Sequence, residues 1–448
     1  MLPLIFAAAL AISLAACSEL NTEIEPEDDE PAPAVERRTV AVGLAGDGSG
    51  RVASDPAGID CGASCSAEFS EGSQVALSAA AAHGSRFEGW SSSSCGGGES
   101  CVLTLSGDVT VEATFAAEPS PSGSAEGSFS VVVIPDTQNL IMRRENTMVT
   151  TMARWVVDSR DELDIRFVSQ LGDVVDDGSK VSEWQRADRM LGLLDGVVPY
   201  SVALGDHDYA IEEDMGSSTA NYRAWFGPER YREYDWYRGS GPNGVNHYQV
   251  FEAGGREFLH VALEWEAPGP ADDPASPLGW ARQVISDHPE LPTIISTHAY
   301  LWDYPGQEGR TWASEQLEGS ITLDGGSMTF PGTTGQGMFE ALVEPFPHVF
   351  MVLNGHYHKA SGTDDGEYHQ VSRNETGLEV YEMLSNYQSY PNGGDGWLRI
   401  IEFVPSGGEG GSDRIAVSTY SPVLNRFQTD ARSRFHFDLV FEERFPRD

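Results

Sequence analysis

The sequence predicts an α/β domain over residues 128–448, preceded by a small all-β module over residues 39–117. Three observations carry this. Beyond Gly127, apolar runs of strand length alternate with longer stretches of helical spacing, the pattern of a sheet covered by helices. Five of those runs end in Asp or His. Between Thr39 and Phe115, Gly-rich turns instead separate short runs of period two, such as Val75-Ala76-Leu77 and Val109 to Phe115.

Taken in order, the 448-residue chain is long enough for two globular units and their linkers. Residues 1–17 read as a lipoprotein signal peptide. Met1 to Ala16 are almost wholly apolar and too short for a good membrane span, and Leu14-Ala15-Ala16-Cys17 matches the small-residue cleavage site. Cys17 is therefore expected to carry the lipid, although no Lys or Arg precedes Arg37. Ser18 after it resembles lipoproteins sent to the outer membrane of a diderm bacterium. Residues 18–38 are acidic and Pro/Ala-rich, too poor in apolar surface to offset their chain entropy, and read as a solvated tether.

The module at 39–117 holds Cys61, Cys65, Cys95 and Cys101. In an exported unit this small, four cysteines read as two disulfides with three connectivities open, a tetrathiolate zinc site being the alternative. Gly46-Asp47-Gly48-Ser49-Gly50, Asp60-Cys61-Gly62 and Phe87-Glu88-Gly89-Trp90 resemble the divergent internalin B-repeat modules of bacterial surface proteins. That resemblance implies a spacer or adhesive unit that contacts a surface or polymer. Residues 118–127 form a second linker.

Within 128–448, strands are expected at Val131–Ile134, Ile165–Leu171, Val198–Leu204, Thr293–Thr297 and Val349–Leu353. Helices are expected at Asn146–Leu163, Val181–Leu194 and Gly337–Pro345. His247 to Glu266 reads as two strands joined at Ala253-Gly254-Gly255. Asp303–Asp324 and Met328–Gln336 read as loops over the site. Val380–Leu384, Trp397–Val404 and Ile415–Ser421 read as closing strands, and Tyr300, Trp302 and Tyr387 as pocket walls or ordinary half-buried aromatics.

The ends of the five runs carry the chemistry: Asp136-Thr137-Gln138, Gly172-Asp173, Gly205-Asp206-His207-Asp208, His298, and Gly355-His356-Tyr357-His358. Each Asp alone would be an ordinary cap or turn residue. Five in succession are not. In an extended segment His356 and His358 would share a face, with Tyr357 turned away. The ordered set resembles the calcineurin-like metallophosphoesterases over Gly127 to Asp448, which implies a two-sheet β-sandwich flanked by helices. It also implies a dinuclear centre of divalent ions (Mn, Fe, Zn, Mg or Ca). Asp136, Gln138, Asp173 and His358 would hold one ion, with Asp173 bridging to a second held by Asp206, His298 and His356. His207 would donate a proton, with Asp208 orienting it.

Gln138 stands where the family usually has His, and Asp206 where it usually has Asn; both ligate through oxygen and favour Mn²⁺, Mg²⁺ or Ca²⁺. Asp176 stands where purple acid phosphatases carry a ligating Tyr, so a tyrosinate-iron centre is not expected. The expected activity is metal-dependent hydrolysis of small phosphate esters by a metal-bridging hydroxide, with a bias to diesters. The alternative is a cell-surface binding protein that keeps the scaffold with little turnover. Sixty-nine Asp and Glu against 28 Lys and Arg give a net charge of −41, with Lys180 and Lys359 the only lysines. A nucleic-acid partner is not expected on such a surface, and membrane contact is expected through the lipid alone.

Overall fold

The computed structural model describes residues 36–61, 64–81, 85–92, 95, 98, 100–117, 127–144, 147–302, 320–323, 326–329, 332–358, 366–405, 413–439 and 441–446. Cys17, nearly all of the tether and residues 118–126 lie outside them, as do Lys359 and 303–319. The fold is mixed α/β with several sheets.

In the module, two four-stranded sheets share one core. One runs Ser66–Ser70, Arg37–Ala45, Val109–Ala117, Ser85–Trp90; the other runs Asp60–Cys61, Gly50–Asp55, Gln74–Ala81, Ser100–Thr104. Period-two patterning is visible in Gln74–Ala81, where Val75, Leu77 and Ala79 are buried and their neighbours are not. The first strand begins at Arg37, so Arg37 and Arg38 belong to the sheet rather than to the expected tether. Its parallel pairing with Val109–Ala117 ties the start of the module to its end. Of the three connectivities, the structure has Cys61–Cys65 and Cys95–Cys101.

The larger half contains two seven-stranded sheets. In the first, Tyr200–Val202, Ile165–Gln170 and Phe129–Ile134 are parallel, and Leu398–Val404, Asp413–Ser421, Arg426–Phe427 and Arg434–Leu439 continue it antiparallel. In the second, Arg256–Ala262, Thr293–Thr297, Val349–Asn354 and Glu379–Ser385 are parallel, and Tyr237–Ser240, His247–Ala253 and Glu367–Arg373 complete the antiparallel edges.

Why the central strands read as unbroken apolar runs is clear from their two faces. Val131 and Val133 join a cluster with Phe167, Phe251, Phe258, Phe350 and Ile401, which come from both sheets. Val132 and Ile134 face a second cluster with the helical residues Met152, Val156, Trp184 and Met190.

Two of the expected helices are shorter than read from the sequence and the third begins earlier. Met148–Ser159 gives way to a turn in which Ile165 N–H donates to the Arg160 carbonyl, and Val181–Leu191 is capped at Gly192. Gly335–Met338 widens into a π-helical turn, Phe339–Val343. The strand expected at Val198–Leu204 is only Tyr200–Val202; at its start Pro199 has no N–H to pair. Part of the expected loop after His298 is instead a hairpin, Ser320–Leu323 against Gly326–Thr329. The parallel strands that lead to Asp136, Asp173, Asp206, His298 and His356 deliver their carboxyl ends to one edge, where ligands gather in α/β sheets.

Candidate metal centre

Four loops leaving parallel strands interlock in pairs at that edge, and glycine permits each contact. A Cβ on Gly205 would lie 2.2 Å from Asp173 Oδ1, and one on Gly355 would lie 2.1 Å from Asp136 Oδ1. Any side chain there would push the carboxylates apart. Asp173 (φ 48°) and His356 (φ 67°) both occupy the left-handed region, a strained conformation that such packed sites hold. His356 therefore does not continue the strand, which ends at Asn354, and the extended geometry expected for His356 to His358 is not observed.

Four side chains converge. His298 Nε2 lies 3.2 Å from Asp173 Oδ1 and 3.0 Å from Asp206 Oδ1; His356 Nδ1 lies 3.0 Å from Asp206 Oδ1 and 3.2 Å from His298 Nε2. Asp173, Asp206 and His298 are fully buried, and His356 is mostly so. The other ring nitrogen of His298, Nδ1, donates to the Leu171 carbonyl at 2.7 Å. That bond commits a proton to Nδ1 and turns Nε2 toward the second imidazole and the two carboxylates.

Burial alone would favour neutral Asp206, but His356 and His298 hold it well below the usual carboxylate range. Burial would likewise lower His298, yet Asp173 and Asp136 raise it well above the usual imidazole range. Asp136 is pushed up to about 8, first by burial.

These residues fit divalent cations. Neighbouring ligands of an ion with bonds near 2.1 Å in octahedral geometry stand about 3.0 Å apart, close to the 3.0–3.2 Å of the four contacts above. A ligating histidine characteristically donates its other N–H to a carbonyl, as His298 does. Gln138 adds an independent sign: its Oε1 is buried and has no hydrogen-bond partner, an unpaired acceptor beside the edge that also holds Asp136.

The remaining expected residues are distributed around the four. Asp136 accepts from His356 N–H at 3.1 Å and from Asn386 Nδ2 at 2.7 Å, and Asn386 Nδ2 is also 2.9 Å from the His356 carbonyl. His358 is exposed, with Nδ1 2.5 Å from Ser389 Oγ, and lies outside the four-residue cluster. His207 donates its backbone N–H to Asp173 Oδ1 at 3.1 Å, and its ring Nδ1 lies 2.9 Å from the Asp176 carbonyl. Asp173, the Asp176 carbonyl, Asp206 and Glu212 outweigh its burial and raise it to about 9.

Asp208 is not where the sequence led us to expect. Its carboxylate accepts from the backbone N–H groups of Val174, Val175 and Gly205 rather than from the His207 ring, so it binds two loops to each other. The side chain on His207 Nε2 is Glu212, at 3.1 Å. Tyr300 and Tyr387 are not pocket walls: both are buried, with hydroxyls on Glu382 and Glu367. Trp302 is half-buried and stacks on Tyr357.

Sequence reasoning missed Glu212 and Glu266, and met Asn386 only as part of a weak echo. Glu266 is buried with φ 47°, and its Oε2 accepts the Gly332 N–H at 2.9 Å. No residue type at these positions distinguishes them from surface acids; only the loop fold does.

Among curated proteins, the chain is 31% identical over 303 residues to the uncharacterized protein YvnB of Bacillus subtilis (strain 168). The match covers 65% of this chain and 20% of that protein, so the chain spans about a fifth of that relative's length. Among solved structures, purple acid phosphatase PPD1 of yellow lupin (Lupinus luteus) seeds aligns at 11% identity and a TM-score of 0.41, over 85% of this chain and 62% of the other. GAP50, the anchor in the inner membrane complex of Plasmodium, aligns at 10% and 0.39, over 70% and 89%. The protein TT1561 of Thermus thermophilus aligns at 10% and 0.32, over 67% and 98%. For the smaller half, residues 45–119 match the family model of the divergent InlB B-repeat domain.

Proposed function

We propose that the chain is an exported, metal-dependent phosphoesterase of the calcineurin-like type, its larger half a two-sheet β-sandwich flanked by helices. The observation that carries this reading is the convergence of His298 Nε2, His356 Nδ1, Asp206 Oδ1 and Asp173 Oδ1 at 3.0–3.2 Å, the spacing of ligands around a cation. Asp173, Asp206, His298 and His356 would hold one ion, and Asp136, Gln138, Asp173 and His358 the other. Two divalent cations held there would supply the positive charge that draws phosphoryl oxygens and acidifies an attacking water.

The chain's own residues do the rest. With Nδ1 of His207 committed to the Asp176 carbonyl, Nε2 is the ring atom left to give a proton to the departing alkoxide. Asp208 keeps the Asp173 and Asp206 loops in register through its three amide bonds. A second aspartate on the ion beside His298 and His356 repels a phosphate dianion more than a diester monoanion, which supports a preference for diesters. Cys17 would carry the lipid that holds the enzyme at the cell surface or outer membrane, and the module would contact a surface or polymer.

The test pairs metal content with turnover on a nitrophenyl and an alkyl phosphodiester. His356→Ala should lose both metal and rate. His207→Ala should keep the metal and lose roughly 10²- to 10⁴-fold on the alkyl ester, with a smaller loss on the nitrophenyl ester, whose leaving group needs no proton. Bound metal without turnover on either substrate would replace this reading with a surface binding protein.

A further inference from the structure

The strand Glu379–Ser385 lies parallel to Val349–Asn354, so its carboxyl end reaches the same edge, and the next residue is Asn386. Its backbone N–H donates to the Gly366 carbonyl at 2.7 Å, and its side-chain amide is fully used. Nδ2 donates both hydrogens, to Asp136 Oδ2 at 2.7 Å and to the His356 carbonyl at 2.9 Å, while Oδ1 accepts the Gln388 N–H at 3.0 Å. The reversed amide would set Oδ1 against two acceptors, so only this orientation is satisfied. Asp136 Oδ2 thereby carries two short bonds, from Asn386 and from the His356 N–H at 3.1 Å, and Oδ1, 3.4 Å from the same N–H, is the freer oxygen. The following residues continue along the same group of ligands. Asn139, the neighbour of Gln138, donates from Nδ2 to Gln388 Oε1 at 3.2 Å, and Ser389 Oγ lies 2.5 Å from His358 Nδ1. One short segment thus meets or flanks Asp136, Gln138 and His358. The side chains of Asp206, His298 and His356 instead reach one another and the Leu171 carbonyl.

We propose that Asn386 and Ser389 are positioning residues that set the affinity of one ion of the pair, the one assigned to Asp136, Gln138, Asp173 and His358, and that this ion loads and unloads separately from its neighbour. The inference rests on the dinuclear reading. Asp136 and His358 come from different loops, and His358 is exposed, so an ion that bound them unbraced would have to order both side chains itself. Asn386 removes that cost for Asp136 before the ion arrives. Ser389 does the same for His358: with a proton on Nδ1 bonded to the serine oxygen, Nε2 is the ring atom left to ligate. Asn386 also closes the left-handed turn at His356 from its other side, because its second hydrogen fixes the carbonyl of the residue whose N–H holds Asp136. Both residues are neutral. Their loss leaves the net charge of the site unchanged, so a weakened ion reports positioning and not electrostatics.

The probe is Mn²⁺ alone, counted on the full chain by equilibrium dialysis with metal analysis, for wild type, Asn386→Ala, Ser389→Ala and Ser389→Thr. Wild type should bind two ions. Asn386→Ala should keep one at wild-type affinity and bind the other about 10- to 100-fold more weakly, the loss typical of removing a partner that orients a ligand. Ser389→Ala should weaken the same ion, and Ser389→Thr, which keeps the hydroxyl, should restore it. Electron paramagnetic resonance gives a second readout: neighbouring Mn²⁺ ions in wild type should couple, whereas Asn386→Ala loaded with one ion per chain should give the signal of an isolated Mn²⁺. A general loosening of the fold would instead weaken both ions together. Ser389 is half-buried, so its truncation opens little space and decides the matter if Asn386→Ala does not fold. Two ions at wild-type affinity in Asn386→Ala and Ser389→Ala, or equal weakening of both ions, would overturn the positioning role while leaving the dinuclear reading intact. Fewer than two ions in wild type would overturn both.

Discussion

Compared side by side, the buried charges around Glu367 and those around Asp206 and Asp173 are built on opposite principles. Around Glu367 every neighbour donates: Arg399 Nη2 at 2.7 Å, Tyr387 hydroxyl at 2.7 Å and Thr419 hydroxyl at 2.8 Å reach Oε1, and Ser433 hydroxyl at 2.6 Å reaches Oε2. The charge is answered by protein groups, and the cluster ties Glu367–Arg373 of one sheet to Leu398–Val404 and Asp413–Ser421 of the other. Around Asp206 and Asp173 the partners are the imidazoles of His298 and His356, groups that hold an exchangeable proton where a cation can sit instead, and Gln138 Oε1 has no partner. A buried polar cluster that satisfies itself is structural; one that leaves an acceptor unpaired asks for something from outside.

Substitution in the closed cluster should break this contrast most visibly if it is mistaken. Glu367→Gln leaves Arg399, fully buried, without its counter-charge, and should cost about 3–5 kcal/mol in urea unfolding with metal content per folded chain unchanged. A loss of bound metal in the folded variant would mean that the two clusters are not independent.

A third carboxylate sharpens the comparison, because it has neither cation nor a full set of donors. Glu402, paired with Ser130 and Ala416 in its sheet, is buried with Oε2 unpartnered. Burial pushes it from 4.5 to about 7. A raised carboxyl pKa means that the folded chain holds the proton longer than the unfolded one. Folding stability should therefore fall as pH rises from 4.5 through 7, by about 2 kcal/mol. Glu402→Gln should flatten that slope. An unchanged slope in the variant would assign the pH dependence to other groups.

How much of this was legible in the sequence follows from the same contrast. Strands buried on both faces announce themselves as apolar runs, and an Asp or His at the end of each of five such runs is a pattern that composition does not produce. The four converging residues were therefore readable. The Glu367 cluster was not, since its partners come from positions 367, 387, 399, 419 and 433, and no local pattern relates them. Asp208 misled for a related reason: adjacency to His207 suggests a side-chain pair, yet unsatisfied amides at Val174, Val175 and Gly205 claimed its carboxylate. Likewise the left-handed turn at His356 cannot be read from alternation. It arises because the Asp136 carboxylate captures the His356 N–H once Gly355 lets the loops touch.

The smallest expected effect probes the open cluster from within. Asp206→Asn keeps an oxygen toward His298 Nε2 and His356 Nδ1 and removes one negative charge. Two unit charges about 4 Å apart interact by roughly 4 kcal/mol at an effective dielectric near 20, but solvent and the remaining ligands absorb much of that. Metal affinity should fall, since an anionic ligand is lost. The repulsion felt by a phosphate dianion should fall more than that felt by a diester monoanion, so the ratio of monoesterase to diesterase turnover should rise several-fold. If the ratio stays constant while the metal remains bound, the carboxylate is acting only as an oxygen donor, and its charge has no part in choosing the substrate.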